Sequence, residues 1–276
     1  MKPFLKWAGN KYPIIDRIRQ LLPEGSQEQA NQRLIEPFVG SAALFLNTDY
    51  TQNILSDVNE DLINVYRYVQ QDGERFIRFA KQFFSADNNH PTIFYHWRET
   101  FNHTSDERLK AALFLYLNRH GYNGLCRYNS RGQFNVPFGR YQQPYFPEAE
   151  LRAFHQKAND TYVTFEAQDF RLTMEQARAG DIVYCDPPYV PLTQTSNFTG
   201  YSQQTFGQAE QEALADMAKS LSENGVIVII SNHDTPFTQA AYESAKIYPF
   251  QVQRYISCQG AKRQKANEML AVFTAS

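Results

Sequence analysis

Cysteine is scarce in this 276-residue chain: Cys126, Cys185 and Cys258 are all there is. The number is odd and no two stand in C-x-x-C spacing. That speaks against a disulfide framework and a structural zinc site, and makes a reducing cytoplasm the default compartment. No stretch reaches the roughly 20 apolar residues of a membrane span, and the opening MKPFLKWAGNK lacks an apolar segment of signal-peptide length. A soluble protein without membrane contact is expected. Internal repeats, low-complexity tracts and linkers rich in Gly, Ser or Pro are missing too, which excludes a solenoid or a tethered module. A G-x-G-x-x-G fingerprint is absent: Gly40 stands alone after a strand-like run, which disfavours a pyrophosphate cofactor such as NAD. His120 and His233 lie far apart without a neighbouring ligand pair, so no metal site is expected.

What is present is the composition of a globular protein, 42% apolar and 20% charged, long enough to enclose a sizeable core. A net charge of −2 argues mildly against a polyanionic partner, but the charges are unevenly spread. Residues 108–147 contain no Asp or Glu, while Arg108, Lys110, Arg119, Arg127, Arg131 and Arg140 all fall there among aromatic residues. A second acid-free stretch, 244–267, carries Lys246, Arg254, Lys262, Arg263 and Lys265. Either stretch alone reads as a solvated face; the two together point to a surface for a polyanion.

Strand-like residues 34–38 run into Val39-Gly40-Ser41 and a helical run at 42–47; a second strand at 53–57 ends on Asp57. Strand, glycine turn, helix, strand and acid open a doubly wound α/β sheet. Helical periodicity then dominates residues 60–121, with Leu109, Leu113, Tyr116 and Leu117 on one face and Gly121 as a terminator. Residues 125–129 and 133–138 flank Ser130-Arg131-Gly132 as a hairpin. The α/β alternation resumes with a helix at 148–159, strands at 162–165 and 182–185, a helix at 208–223 and a strand at 226–231. Late strands around 252–256 and 269–273 are expected as an antiparallel edge. The organisation that follows is a catalytic unit in two parts, 1–59 and 148–276, around an insert at 60–147.

Ligands of an open α/β sheet bind beyond the carboxyl ends of its strands. Phe38-Val39-Gly40, Asp57 and Asp186 all sit at such ends; a glycine turn admits a ligand close to the backbone and an acid can take both hydroxyls of a ribose. Strand 182–185 runs directly into Asp186-Pro187-Pro188-Tyr189, a tetrapeptide expected by composition in about two of every thousand such chains. Chance is a poor account of it. Proline fixes φ and has no N–H, so the turn is stiff, and the Pro187 carbonyl and the Asp186 carboxylate converge as acceptors beside the Tyr189 ring. Such a pocket suits an exocyclic amine on a flat heterocycle, which makes Asp186, Pro187 and Tyr189 the candidate catalytic set.

The segments FLKWAGNK, EPFVGSAALF, ILSDVN, LNRHGYNGLCRYN, GQFNVPFGRY, YCDPPY and VIISNHD together resemble the Dam-type DNA adenine-N6 methyltransferases over essentially the whole chain. The resemblance implies a Rossmann-like class I methyltransferase sheet with an inserted helical and hairpin DNA-recognition domain. It implies S-adenosylmethionine as methyl donor, with Trp7 and Lys11 near its methionine end, Phe38 and Gly40 at the turn, Asp57 on the ribose, Asp169 and Phe170 beside its adenine, and Asp186 facing donor and target alike. It further implies double-stranded DNA as substrate, GATC as target, and an adenine swung out of the duplex for direct in-line transfer to N6. Lys6, Tyr122, Asn123, Leu125, Arg127 and Pro137 would contact or stack on bases, and Arg98, Arg119, Asn129, Asn135 and Arg140 the DNA backbone. Arg127 on the hairpin could also chelate guanine O6 and N7 in a major groove by its chemistry alone. No obligate protein partner is implied and a monomer is expected. Gly9-Asn10 stands where the family often has two glycines, and Ala42 where it often has a second glycine after Phe38; both put donor affinity, not chemistry, in question. Methylation of another amine, such as cytosine N4 or a glutamine side chain, shares the pocket logic, and a DNA-binding module without catalysis is the rival outside the enzymes.

Overall fold

The computed structural model describes residues 1–23, 32–189, 206–253 and 265–275. Its centre is a seven-stranded sheet ordered β3-β2-β1-β4-β5-β7-β6. The strands are β1 (Arg33–Glu36), β2 (Gln52–Asp57), β3 (Tyr162–Ala167), β4 (Ile182–Cys185), β5 (Ile227–His233), β6 (Lys246–Gln253) and β7 (Lys265–Phe273). β1 to β5 pair in parallel, and β7 runs antiparallel to both of its neighbours. Every residue of β4 is buried, as a central strand covered on both faces requires. The direction of winding reverses between β1 and β4, so a crevice opens where Glu36 ends one strand and Cys185 the other. This is the Rossmann-like sheet with the expected antiparallel strands, and β6 and β7 begin earlier than the 252–256 and 269–273 read from periodicity. Residues 254–256, with Arg254, Lys262, Arg263 and Cys258, lie outside the described residues.

Among the described residues the α-helices are α1 (Ile15–Arg19), α2 (Glu60–Asp72), α3 (Glu74–Lys81), α4 (Pro91–His103), α5 (Glu107–His120), α6 (Glu148–Asp160), α7 (Phe170–Met174), α8 (Gln208–Glu223) and α9 (Pro236–Ala241). α5 is buried continuously from Ala111 to His120 and is the axis of the inserted segment. One apolar cluster joins Val39, Leu55 and Phe165 of the sheet region to Phe94, Phe101, Leu113, Phe134 and Val136 of the insert. At about 1.5 to 3 kcal/mol per buried large apolar side chain, this shared core holds residues 60–147 firmly against the sheet. A second cluster, including Ile35, Phe170, Val183, Leu214 and Ile230, packs α7 and α8 against the sheet.

One local expectation is corrected and two are made more specific. Residues 42–47 form no α-helix but a tight turn closed by a 3-10 helix at Phe45–Asn47. Gly40 and Ala42 both stand in the left-handed region, at φ 45 and 58, and the buried Glu36 carboxylate accepts the Phe45 N–H at 2.9 Å. These choices aim backbone groups into the crevice, where a helix would bond them to itself. Gly121 does end α5, but in extended geometry (φ −74, ψ 157); glycine is needed there because a Cβ would lie 2.6 Å from the Leu117 carbonyl. The 125–138 segment turns back on itself through isolated bridges, Gly121 with Phe138 and Tyr128 with Phe134, without a continuous ladder. Backbone bonds still cross it, Asn129 N–H to the Gln133 carbonyl at 2.8 Å and Asn135 N–H to the Arg127 carbonyl at 3.0 Å, and side chains take further groups: Asn102 accepts the Phe134 N–H and donates to its carbonyl, and Arg98 donates to the Val136 carbonyl.

Candidate active site

Asp186 follows β4 directly and lies on the β5 side of the crevice. Its Oδ1 is 2.7 Å from the Lys11 ammonium and accepts the Ser231 hydroxyl at 2.8 Å. Ser231 sits on β5, and the Tyr184 hydroxyl lies 3.3 Å from its Oγ, so the carboxylate is held by its neighbouring strand as well as its own. The corner after it is fixed from outside: Gln211 of α8 donates to the Pro188 carbonyl at 2.8 Å, and Asn232 binds the same Gln211 at 2.9 Å. Pro187 is buried. Tyr189 presents its ring to the Lys11 ammonium, 4.7 Å from the centroid, with His233 edge-on at 4.5 Å and its hydroxyl on Glu268 at 3.3 Å. Asp186, Lys11 and the Tyr189 ring thus share one point at the crevice mouth. The ammonium there sits on the carboxylate and beside the aromatic ring.

Across the crevice the glycine turn is drawn together by acids. Asp57 ends β2, accepts the Gly40 N–H at 3.2 Å on Oδ2 and the Asn59 N–H at 3.0 Å on Oδ1. Burial pushes its carboxyl up to about 6, against the pull of these N–H groups. Glu36 is 2% exposed; burial above all, with the charge of Asp186 adding to it, raises its carboxyl to about 8, so at neutral pH it holds its proton. Tyr66 donates to the Gly40 carbonyl at 2.5 Å. A Cβ on Gly40 would come 2.8 Å from Trp7 Nε1, so the indole closes over the turn at a distance only glycine allows. Phe38 and Phe170 stack at 5.4 Å with Phe206 against both, an aromatic patch next to the turn. Asp169 caps α7 through the Arg171 N–H at 2.9 Å and faces the Arg171 guanidinium at 3.2 Å.

An acid at the end of a strand, a glycine turn and an aromatic patch in one crevice fit a nucleoside-bearing donor. A negatively charged diphosphate would meet Asp57 and Asp186. Among the described residues no group of three or more His, Cys, Asp or Glu gathers as a metal site. His120 is buried, its Nδ1 2.9 Å from the Tyr116 carbonyl, and burial lowers its imidazolium to about 4.

The residues expected to read DNA divide into groups. Lys6 lies over the Tyr141 ring at 3.9 Å, its backbone clasped in both directions by Asn118, at 2.9 and 2.7 Å. The same Tyr141 hydroxyl accepts the Asn123 N–H at 3.0 Å. Tyr122 is exposed, its N–H donating to the Pro137 carbonyl at 2.9 Å, while Leu125 is half-buried against the core. Arg127 is exposed and aimed by Asn135, which receives its Nε on Oδ1 at 2.7 Å and its Nη2 on the carbonyl at 3.2 Å. Asn135, expected on the DNA backbone, is here the side chain that orients the arginine. Asn129, expected there too, builds the turn, its Oδ1 accepting the Arg131 and Gln133 N–H groups at 2.9 and 3.0 Å. Arg98 is half-buried over the Tyr95 ring at 4.7 Å. Arg140 is exposed at φ 52. Arg119 is only 8% exposed, with its guanidinium on the Phe4 carbonyl, so it stands inside the protein while the other arginines named here reach the surface or its margin.

Periodicity singled out neither Ser231, Gln211 nor Glu36; the one available signal was that VIISNHD and EPFVG end strands pointing at the same crevice. Comparison with known proteins agrees with the geometry. The profile of the D12 class N6 adenine-specific DNA methyltransferases matches residues 7–256. The DNA adenine methylase of Serratia marcescens is 50% identical over 273 residues, covering 99% of this chain and 98% of the relative. Those of Escherichia coli (strain K12) and Vibrio cholerae serotype O1 are 46% identical over 272 residues and 44% over 274, each covering 99% of this chain and 95% and 96% of their own length. With an amine-accepting corner at the switch point of a methyltransferase sheet and kinship along its whole length, the chain belongs to the D12 class of N6 adenine-specific DNA methyltransferases.

Proposed function

We propose that the protein transfers a methyl group from S-adenosylmethionine to N6 of an adenine in double-stranded DNA, within GATC, on a base swung out of the duplex. The observation that carries this is the Asp186 carboxylate, held at the crevice mouth by Ser231 and already engaged by an amino nitrogen. S-adenosylmethionine, when bound, supplies an electrophilic methyl on a sulfonium. Trp7, Phe38, Gly40 and Asp57 are the residues that would hold it, with Phe170 and Asp169 at its base and Lys11 at its methionine end.

Adenine N6 is a poor nucleophile because its lone pair is delocalised into the ring. N–H bonds donated to Asp186 and to the Pro187 carbonyl favour localising that pair toward the incoming methyl. As the new bond forms, positive charge grows on N6 next to an acceptor that does not have to reorient, which lowers the barrier more than it stabilises the ground state. Extruding the base costs a few kcal/mol of stacking, part of which Tyr189 restores by covering its face. Lys11 must yield its place on Asp186 as the target arrives. Recognition falls to residues 60–147 together with Lys6: Arg127, oriented by Asn135, is the reader of a guanine, with Lys6, Tyr122, Asn123, Leu125 and Pro137 around it and Arg98, Asn129 and Arg140 toward phosphates. The reading arm packs on the same apolar cluster as Val39 of the glycine turn, while Cys185, just before the corner, packs in the second cluster.

The test is incubation with methyl-labelled S-adenosylmethionine and duplexes with and without GATC, followed by nucleoside analysis. Label on N6-methyladenine of GATC duplexes alone is expected. Label on cytosine, or on protein with none on adenine, overturns the reading.

A further inference from the structure

Two side chains flank Arg127, and both point the other way. Successive residues of an extended segment alternate faces: Arg127 is exposed, while Cys126 and Tyr128 pack against the core. What they meet there is the first turn of α2, the helix that starts three residues after Asp57. Asn59 donates from Nδ2 to the Cys126 sulfur at 3.4 Å. The same Asn59 caps α2 by accepting the Leu62 N–H at 3.1 Å, and its own N–H lies on Asp57 Oδ1 at 3.0 Å. Tyr128 donates its hydroxyl to Asp61 Oδ2 at 2.7 Å, and Asp61 Oδ1 is paired with Lys110 of α5 at 2.8 Å. Burial keeps both partners neutral, raising the Cys126 thiol to about 12 and the Tyr128 phenol well above its ordinary value.

A short segment, residues 57–61, therefore carries the acid facing the nucleoside site at one end and the two anchors of the reading arm at the other. The structure assigns to Cys126 and Tyr128 a role as positioning residues that join the Asp57 site to the Arg127 arm, so that donor binding and recognition of the guanine strengthen each other. This rests on the functional reading above. Each ligand requires these five residues in one arrangement, so a ligand that favours that arrangement at one end favours binding at the other. The coupling is reciprocal, as any linkage between two binding equilibria must be. It runs through a hydrogen-bonded chain, and a merely intermediate position in space would not suffice.

The test uses the full chain with Cys126→Ala, Tyr128→Phe and the double variant. Neither single change removes the cap on α2, and phenylalanine preserves the edge-on contact of residue 128 with Phe134 at 5.7 Å. Three quantities are measured: donor affinity without DNA, donor affinity with a GATC duplex, and the ratio of methylation rates on GATC and on duplexes altered at each guanine position. The wild type is expected to bind donor at least about fivefold more tightly with the duplex present, within the usual range for linked sites. The double variant is expected to keep its DNA-free affinity, lose most of that gain, and discriminate about tenfold less at one guanine position, the one Arg127→Ala also affects. Unchanged gain and discrimination in the double variant overturns the inference, as does a uniform loss on all duplexes that tracks a lowered melting temperature. If the wild type labels no adenine, the functional reading fails and this falls with it; a wild type that labels adenine beside unchanged variants sinks the coupling alone.

Discussion

Replacing Asp186 by Asn keeps the shape of the corner and removes its charge. The asparagine carbonyl can still accept the Ser231 hydroxyl, now at 2.8 Å from Asp186 Oδ1, so the strand-to-turn geometry should persist. What disappears is the attraction between a full negative charge and the positive charge growing on N6. For about half a charge at about 3 Å and an effective dielectric near 20, that attraction is about 3 kcal/mol, or a factor of about 100 to 200 in rate. This agrees with the loss of two to three orders of magnitude found when a single fixed group stabilising a transition state is removed. A second effect runs through Lys11, which is 8% exposed and loses the charge of its partner at 2.7 Å while keeping the Gly9 carbonyl at 2.8 Å. An orphaned buried charge costs about 3 to 5 kcal/mol when fully enclosed, and less here because the Asp186 side chain is 21% exposed. A fall of several degrees in melting temperature is expected. Single-turnover methylation on a saturating GATC duplex separates the two, because it reads chemistry after binding. A single-turnover rate within about threefold of wild type, with folding and DNA binding intact, would refute the electrostatic role of Asp186.

Gly40→Ala forces a side chain into the left-handed region at φ 45 and to 2.8 Å from the Trp7 indole, so donor affinity should fall by about tenfold or more, read by titration calorimetry; unaltered affinity excludes Gly40 and Trp7 from the donor site. Arg127→Ala should lose about 1 to 3 kcal/mol of discrimination at a single guanine, while Arg140→Ala weakens binding to every duplex and flattens its salt dependence; equal losses on all sequences in both variants reject the assignment of reader and phosphate contact. Glu36 keeps its proton to about pH 8 when folded, against an ordinary value of 4.5. Between those values the folded chain holds a proton that the unfolded chain has released, so stability is fully present below about 4.5 and declines as pH rises toward about 8, at up to about 1.4 kcal/mol per pH unit. Glu36→Gln, which keeps an acceptor for the Phe45 N–H, should gain on the wild type with rising pH in paired thermal melts; a constant difference at both ends of the window would show that Glu36 is ionised throughout.

Much of the sheet is legible in the sequence alone because strand burial leaves its mark locally. The all-apolar Ile182-Val183-Tyr184-Cys185 run is a central strand, α8 spans residues 208–223 as its periodicity predicts, and Asp57 and Asp186 end strands at the crevice. The proline pair was legible for the same reason, since imino acids restrict the chain wherever they stand. The turn after β1 was misread as a helix because Ala42 to Asn47 have good helical propensity, and the acceptor that overrides it, Glu36, acts on Phe45 from the end of a strand. Propensity is local; that contact is not. Kinship with adenine methyltransferases was likewise carried by short segments, each legible by itself. The chain's order along its length says nothing of which strand lies beside which, and the sheet order set Ser231 against Asp186 across 45 residues and Lys11 against the same carboxylate across most of the chain. Tertiary packing also drew Arg119 inside, set Asn135 against the Arg127 guanidinium, and brought Cys126 and Tyr128 onto the helix that follows Asp57. Residue type and spacing determine what a side chain can do; its partner is decided only when distant segments share a core, because hydrogen bonds and burial act over a few ångströms of space irrespective of separation along the chain.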